Sequence, residues 1–256
     1  MTYRELYLKL LGYAPMEISD RFVKEGAYDN SGMILETKRE IKTAVFCLDL
    51  TGASVNYAVS VGADAIITHH PAIYRPVKNL LADAPLLTAA NAGIGVISNH
   101  LNLDGAKEGI DYRLAAGFGG KIVGILDDFG NGEGYGRISV TDKTFGEITE
   151  NYKKEFGTEK VFAYGEKDKP VRKLASFCGA GLGDEEVEAA AAAGVDLVVS
   201  ADIPHHVLLH ALEKGLCVLG CTHYGTENYG MKKFAEKCAA ELTNIKIYFF
   251  DDERFV

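Results

Sequence analysis

Two adjacent imidazoles, His69 and His70, stand before Pro71, and two further histidines each precede a carboxylate by four positions: His100 with Asp104, and His223 with Glu227. Imidazole and carboxylate donors without thiolate suit zinc, manganese, iron or nickel, and a carboxylate able to bridge suits a pair of divalent ions. In an extended segment His69 and His70 point to opposite sides, so they can face two different ions. Taken singly, each motif has a plainer explanation. An isolated His-His pair is more often satisfied by backbone groups. Asp104 can cap a helix starting near Ala106, and Glu227 can complement the N-terminus of a following helix. The capping explanation gives His100 no task. What favours one metal centre built from His69, His70, Asp104, His223 and Glu227 is the context in which the motifs recur.

The stretch 55–71 reads as a helix with apolar spacing, a stop at Gly62, a short strand over 65–67, and then Thr68, His69, His70 and Pro71. The stretch 187–202 repeats that order: an alanine-rich helix, a stop at Gly194, a strand over 197–199, then Ser200, Ala201 and Asp202. Aligned on the glycines, Asp64 meets Asp196 and Thr68 meets Ser200. A second pair obeys the same rule. The stretch 90–104 (helix end, Gly93, strand 94–97, His100, Asp104) resembles 211–227 (helix end, Gly215, strand 216–219, His223, Glu227). We read an internal duplication in which helix, strand, helix and strand follow in the same order. The expected fold class is α/β: two intertwined α/β repeats with mixed, mainly parallel sheets and a metal site between the halves. The first half is expected over 1–128 and the second over 129–256, with the glycine-rich run 128–136 as boundary; intertwining would merge the halves into one structural domain. The second half is expected to contain a strand over 137–140, a helix over 145–156, a strand over 160–165, a helix over 231–242 and a strand over 246–250. Loops after successive parallel strands gather at one sheet edge, where ligands bind in such folds, and six of the seven histidines follow expected strands.

Other residues offer competing chemistry. Cys217, Cys221 and His223 could belong to a zinc site, but Cys217 falls in an expected buried strand and no second cysteine pair completes a tetrahedron. His205 and His206, after Asp202, are candidates to line the cleft or to support the ligands from behind. No Ser-His-Asp or Cys-His arrangement and no phosphate-cradling glycine loop stands out. A net charge of -9, with lysines and arginines scattered among acids, provides no field for a nucleic-acid backbone. Five cysteines form no disulfide framework and point to a reducing compartment, hence the cytoplasm. Arg4, Glu5 and Lys9 interrupt the apolar N-terminus, and the run 189–201 is too short for a bilayer, so no membrane role is expected.

As a set, Asp29-Asn30-Ser31-Gly32, Thr68-His69-His70-Pro71, His100 to Asp104 with Gly109, Ser200-Ala201-Asp202 with His206, and Gly220 through His223 to Glu227 identify a resemblance. End to end, the chain resembles the dinuclear-metal-centre family named for the NGG-interacting factor three, whose bacterial members are often labelled type-two GTP cyclohydrolase. The resemblance implies a toroidal homohexamer with metal sites facing an internal cavity. It further implies that His70 and Asp104 hold one ion, His69 and His223 the other, and that Glu227 bridges them. Two positions depart from the family's pattern: Ala201 where Gly is common, and Asp111 where Asn is common. The function expected is a cytoplasmic hydrolase acting on a small molecule such as a nucleotide, phosphoester or cyclic amide. Two ions roughly 3.5 to 4 Å apart would lower the pKa of a shared water and polarise the substrate. His100 and Glu227 are the candidate catalytic residues, His100 as a proton shuttle. Tyr74, Arg75 and Lys78 are candidates to contact an anionic substrate. The alternative is a non-catalytic metal-binding or regulatory scaffold, which would use the same ligands.

Overall fold

A computed structural model describes residues 1–255. By the density of its internal contacts the chain divides into two units. Unit 1 is Met1–Gly109 with Met231–Arg254, and unit 2 is Ile110–Gly230 with Phe255. Unit 1 contains α1 (Tyr3–Leu11), α2 (Met16–Lys24), β1 (Gly32–Leu35), β2 (Thr43–Cys47), α3 (Gly52–Ser60), β3 (Ala65–Thr68), α4 (Pro85–Asn91), β4 (Gly95–Ser98) and the single turn α5 (Leu101–Asp104). Unit 2 contains α6 (Ile110–Gly117), β5 (Lys121–Gly130), β6 (Glu133–Thr144), α7 (Phe145–Phe156), β7 (Phe162–Tyr164), β8 (Pro170–Ser176), α8 (Asp184–Ala192), β9 (Leu197–Ala201), α9 (His205–Glu213) and β10 (Cys217–Cys221). The helix α10 (His223–Glu241) starts in unit 2 and continues into unit 1, which ends with β11 (Lys246–Phe249).

Each unit has one mixed sheet. In unit 1 the order is β1-β4-β3-β2-β11, parallel except for the β1–β4 pairing. In unit 2 the order is β5-β6-β8-β9-β10-β7, with β8, β9 and β10 parallel and the outer pairings antiparallel. The inner parallel strands β2, β3, β4, β9 and β10 are almost fully buried, as strands covered by crossover helices must be. In unit 1, Val45, Ile66 and Val96 pack with Val55, Ala58 and Ala89. In unit 2, Ala175, Val198 and Val218 pack with Val187, Ala190, Val207 and Ala211.

The matching sequence stretches adopt matching local structure. After α3, Gly62 lies at φ +67, its N–H bonds Val59 O at 3.1 Å and Ala63 N–H bonds Ala58 O at 2.9 Å. After α8, Gly194 lies at φ +67, its N–H bonds Ala191 O at 3.0 Å and Val195 N–H bonds Ala190 O at 3.2 Å. Both are the paired-carbonyl helix stop that requires a left-handed residue, which explains glycine at each. The aligned aspartates also share a task. Asp64 Oδ2 accepts from the backbone of Lys42 and Thr43 at 2.9 and 3.0 Å, and Asp196 Oδ2 from Arg172 and Lys173 at 2.8 and 3.1 Å. Each staples the strand it precedes to the neighbouring parallel strand.

Several local expectations need correction. The glycine-rich run 128–136 is not a boundary between halves at 128/129. It is a hairpin turn inside unit 2, with Asp128 paired to Gly134 across β5 and β6. Glycines with positive φ permit the tight reversal and carry no domain meaning here. No helix starts near Ala106. Asp104 closes the turn α5 and α6 begins at Ile110, so Asp104 is not an N-cap. The last long helix starts at His223, not 231, which places His223 and Glu227 within a helix. Among the described residues, no helix is long and apolar enough to cross a membrane.

Candidate metal centre

The parallel strands of unit 1 end side by side, and polar residues follow each of them: Asp49 after β2, His69 and His70 after β3, Asn99 and His100 after β4. The backbone bends at once after β3, because the N–H groups of His69 and His70 both reach Leu48 O, at 3.2 and 3.0 Å. The bend overturns the expectation that the two imidazoles point apart. Their ring centroids lie 5.0 Å from each other, and those of His69 and His70 lie 5.3 and 5.8 Å from His100. Each of the three can offer a nitrogen within 4.8 Å of the other two. Below them Thr68 Oγ and Ser98 Oγ are 2.8 Å apart, and Ser98 Oγ accepts from Ala72 N–H at 3.1 Å, tying the chain beyond Pro71 to the strand ends.

Every ring is oriented through Nδ1. His69 is fully buried, and its Nδ1 lies 2.8 Å from the backbone carbonyl of Asn99. A carbonyl only accepts, so Nδ1 carries the proton and Nε2 presents its lone pair. That Nε2 faces Asp104 Oδ1 at 3.4 Å, with both groups buried. Two electron-rich atoms so placed in a low dielectric need either a proton or a metal ion between them. His70 Nδ1 meets Asp49 Oδ1 at 2.7 Å and His100 Nδ1 meets Asp29 Oδ1 at 2.9 Å, carboxylates that impose the same tautomer. Asp104 reaches this place because Asn102 Nδ2 bonds Ala14 O at 2.8 Å and anchors the α5 turn.

Asp29 belongs to the Asp29-Asn30-Ser31-Gly32 motif, whose task the structure shows. Asn30 Nδ2 donates to Ile73 O at 2.6 Å, and Ser31 Oγ accepts from His100 N–H at 2.9 Å. Burial opposes ionisation of Asp29, but hydrogen bonds from His100, Ser19 and Ser31 outweigh it and hold the carboxyl below the ordinary value of 3.8. The stabilisation this brings is complete above the unfolded-state value and is lost as pH falls below 3.8 through the folded value. Asp29→Ala should leave buried donors without their acceptor and cost roughly 1–3 kcal/mol at neutral pH. Urea melts at pH 7 and at pH 3 check this: the gap between variant and parent should shrink at the lower pH.

Unit 2 has its own half-site. His223 and Glu227 occupy one face of α10, one turn apart, with Nε2 to Oε2 at 3.1 Å. His223 Nδ1 meets Asp202 Oδ2 at 2.7 Å, so the orienting pattern of unit 1 recurs. Asp202 follows β9 with φ +47, a left-handed conformation that aspartate tolerates better than most residues. Glu227 is buried and lies against the backbone of Gly179, which follows β8. A Cβ at Gly179 would come within 2.2 Å of Glu227 Oε1, and φ there is +55. Gly179 N–H donates to Thr226 Oγ at 3.0 Å and Gly179 O accepts from Ala201 N–H at 2.9 Å, which fix this close approach. Asp111, where the family pattern has Asn, accepts from Cys178 N–H at 3.2 Å and lies 3.5 Å from the buried guanidinium of Arg137. The cation beside it accounts for an acid at this position.

The remaining candidates have other surroundings. Tyr74, Arg75 and Lys78 lie on an exposed loop beyond the histidine pair, with the Tyr74 ring 6.4 Å from His100 and 5.3 Å from Tyr28. His205, His206 and His210 belong to α9 and not to a strand-end loop; His206 is 73% exposed and lies 3.9 Å from Asp184. The five cysteines are buried and none is disulfide-bonded, and Cys217 and Cys221 lie in the buried strand β10. Sequence reasoning missed Asp49 and Gly179, and gave Asp29 and Asn99 no part in orienting the histidines. A survey of the first three residues after every parallel strand would have found Asp49, two past β2, and Gly179, three past β8.

The arrangement has known relatives. The family model for DUF34/NIF3, NGG1p interacting factor 3, matches residues 1–254. A Streptococcus pneumoniae protein called GTP cyclohydrolase 1 type 2 homolog is 30% identical over 244 residues, covering 91% of this chain and 87% of its own. A Methanocaldococcus jannaschii protein of the same description is 30% identical over 218 residues, covering 84% and 87%. Among solved structures, reduced HcgD from Methanocaldococcus jannaschii superposes with a TM-score of 0.82 at 29% identity, covering 98% of both chains. The mixed sheets, the oriented imidazoles and a match along nearly the whole length agree: this chain belongs to the DUF34/NIF3 family.

Proposed function

We propose that this chain is a divalent-metal-dependent hydrolase of a nucleotide, phosphoester or cyclic amide. His69, His70 and Asp104 would supply the ligands from unit 1, with His69 and Asp104 on the same ion, and His223 and Glu227 would supply those from unit 2. One observation carries the reading: His69, His70, His100 and His223 each have Nδ1 against an oxygen acceptor, which makes Nε2 the ligating atom of His69, His70 and His223 and the proton-exchanging atom of His100. Structural histidines have no reason to share this orientation, whereas metal-ligating ones almost always do. The donor set fits zinc, manganese, iron or nickel, since no thiolate takes part. When bound, such ions supply Lewis acidity and lower the pKa of water.

The chain's own residues do the rest. Asp49, Asp202 and the Asn99 carbonyl take the Nδ1 side of His70, His223 and His69 and aim Nε2 as the ligating atom. Glu227 contributes negative charge from a buried position that excludes competing water. His100, held through Nδ1 by Asp29, takes or returns a proton at Nε2. The names of the relatives support ring opening of GTP as the first reaction to try. Cysteines without disulfides agree with a cytoplasmic location, and a homohexamer is the oligomer to seek by light scattering. Protein stripped by chelation and reloaded with manganese or zinc should turn over one member of a nucleotide, phosphoester and cyclic-amide panel. Turnover that persists with excess chelator would refute the reading, and stable metal loading without turnover across the panel would favour a scaffold role.

A further inference from the structure

On unit 2, the facing sides of α8 and α9 present a second set of metal-ligating side chains. Asp184 and Glu188 are one turn apart on α8, and His206 and His210 are one turn apart on α9. His210 Nδ1 lies 2.7 Å from Asp184 Oδ1, and its Nε2 lies 2.8 Å from Glu188 Oε1. His206 Nε2 lies 3.9 Å from the other Asp184 oxygen, Oδ2. Lys214 Nζ is 2.6 Å from Glu188 Oε1.

We propose that Asp184, His206 and His210 form an external site for a late first-row divalent ion such as zinc, separate from the histidine centre at the strand ends. The two oxygens of Asp184 already face two imidazoles presented by one helix face. Tetrahedral zinc with ligand bonds of about 2.0–2.1 Å sets its ligand atoms about 3.3 Å apart. The 2.7 Å contact must therefore widen and the 3.9 Å contact shorten, each by about half an ångström, and the three ligand atoms, which do not all lie within 4.8 Å of one another, must close further by rotation of the exposed His206 side chain. Partly exposed side chains can make that adjustment. The ion would enter between His210 Nδ1 and Asp184, replacing the proton there. Glu188 would keep its bond to His210 Nε2–H and so orient the ring in the way that carboxylates orient metal-bound imidazoles. Lys214 is bonded to Glu188, where it balances that charge without facing the ion. Three protein ligands leave a position for water, so the ion should exchange readily.

Zinc titration of tag-free, chelator-stripped protein, by calorimetry and by equilibrium dialysis with elemental analysis, tests this. The parent should bind one equivalent more than His206→Ala or His210→Ala. His205→Ala should match the parent, since its side chain leaves α9 about 100° away from that of His206. Glu188→Gln should weaken the external equivalent about tenfold or more. Glu227→Gln should leave it intact, which separates this inference from the reading of the inner centre. The same zinc stoichiometry and affinity in the parent and in a His206→Ala/His210→Ala double variant would overturn it.

Discussion

Glu227→Gln should reduce metal affinity by at least about a hundredfold, equivalent to about 2.7 kcal/mol, and abolish any turnover, while the protein stays folded. The substitution preserves shape and removes one charge. Glu227 is buried, and its Oε2 lies 3.1 Å from the nitrogen His223 reserves for a ligand. An amide there either presents a neutral oxygen, a poorer ligand for a hard dication, or turns a donor N–H toward the ion and repels it. Elemental analysis of parent and variant purified without added metal, with circular dichroism melts alongside, reads the effect. Parent-like metal content in the variant would remove Glu227 from the centre.

Gly179→Ala should produce a comparable functional loss by another route. A methyl group at Gly179 would sit 2.2 Å from Glu227 Oε1, far inside van der Waals contact. The obstructing atom is the end of a flexible side chain, so the clash is relieved by swinging the carboxylate out of place, and function suffers more than the fold. The φ of +55 adds a left-handed penalty of about 1–2 kcal/mol to folding. We expect metal affinity to fall about 10- to 100-fold, the range typical when a residue supporting a ligand is lost. A crystal structure of the variant should show Glu227 displaced. Undiminished affinity would mean that the position of Glu227 does not depend on this close approach.

Much of the fold was legible. The helix 145–156 was read at its true ends because Thr144 and Glu147 form a capping box and Gly157 closes it at φ +65. The strands ending at Thr68, Ser98, Ala201 and Cys221 were legible because short apolar runs follow helix-stopping glycines. The hairpin at 128–136 was misread because a glycine-rich turn and a glycine-rich linker have the same composition. Only the register of β5 against β6 tells them apart. The start of α10 was missed because residues 223–230 are polar and carry two glycines, which local propensity scores against helix.

The candidate site divides in the same way. Residue type and spacing determined which groups can ligate: an imidazole or carboxylate declares its chemistry by itself, and recurrence after like strands marked His69, His70, Asp104, His223 and Glu227. Tertiary structure alone decided which way each ring is turned. That depends on Asp49, Asp29, Asn99 and Asp202, which lie 21 to 71 positions from the rings they orient, in no repeating pattern, and are brought near by the tertiary fold. It also decided that the histidine pair converges, because two backbone N–H groups must share the Leu48 carbonyl at the strand's end. A hydrogen bond to one ring nitrogen chooses the atom left for a metal, and contacts formed across a sheet have no trace in the order of residues along a single strand.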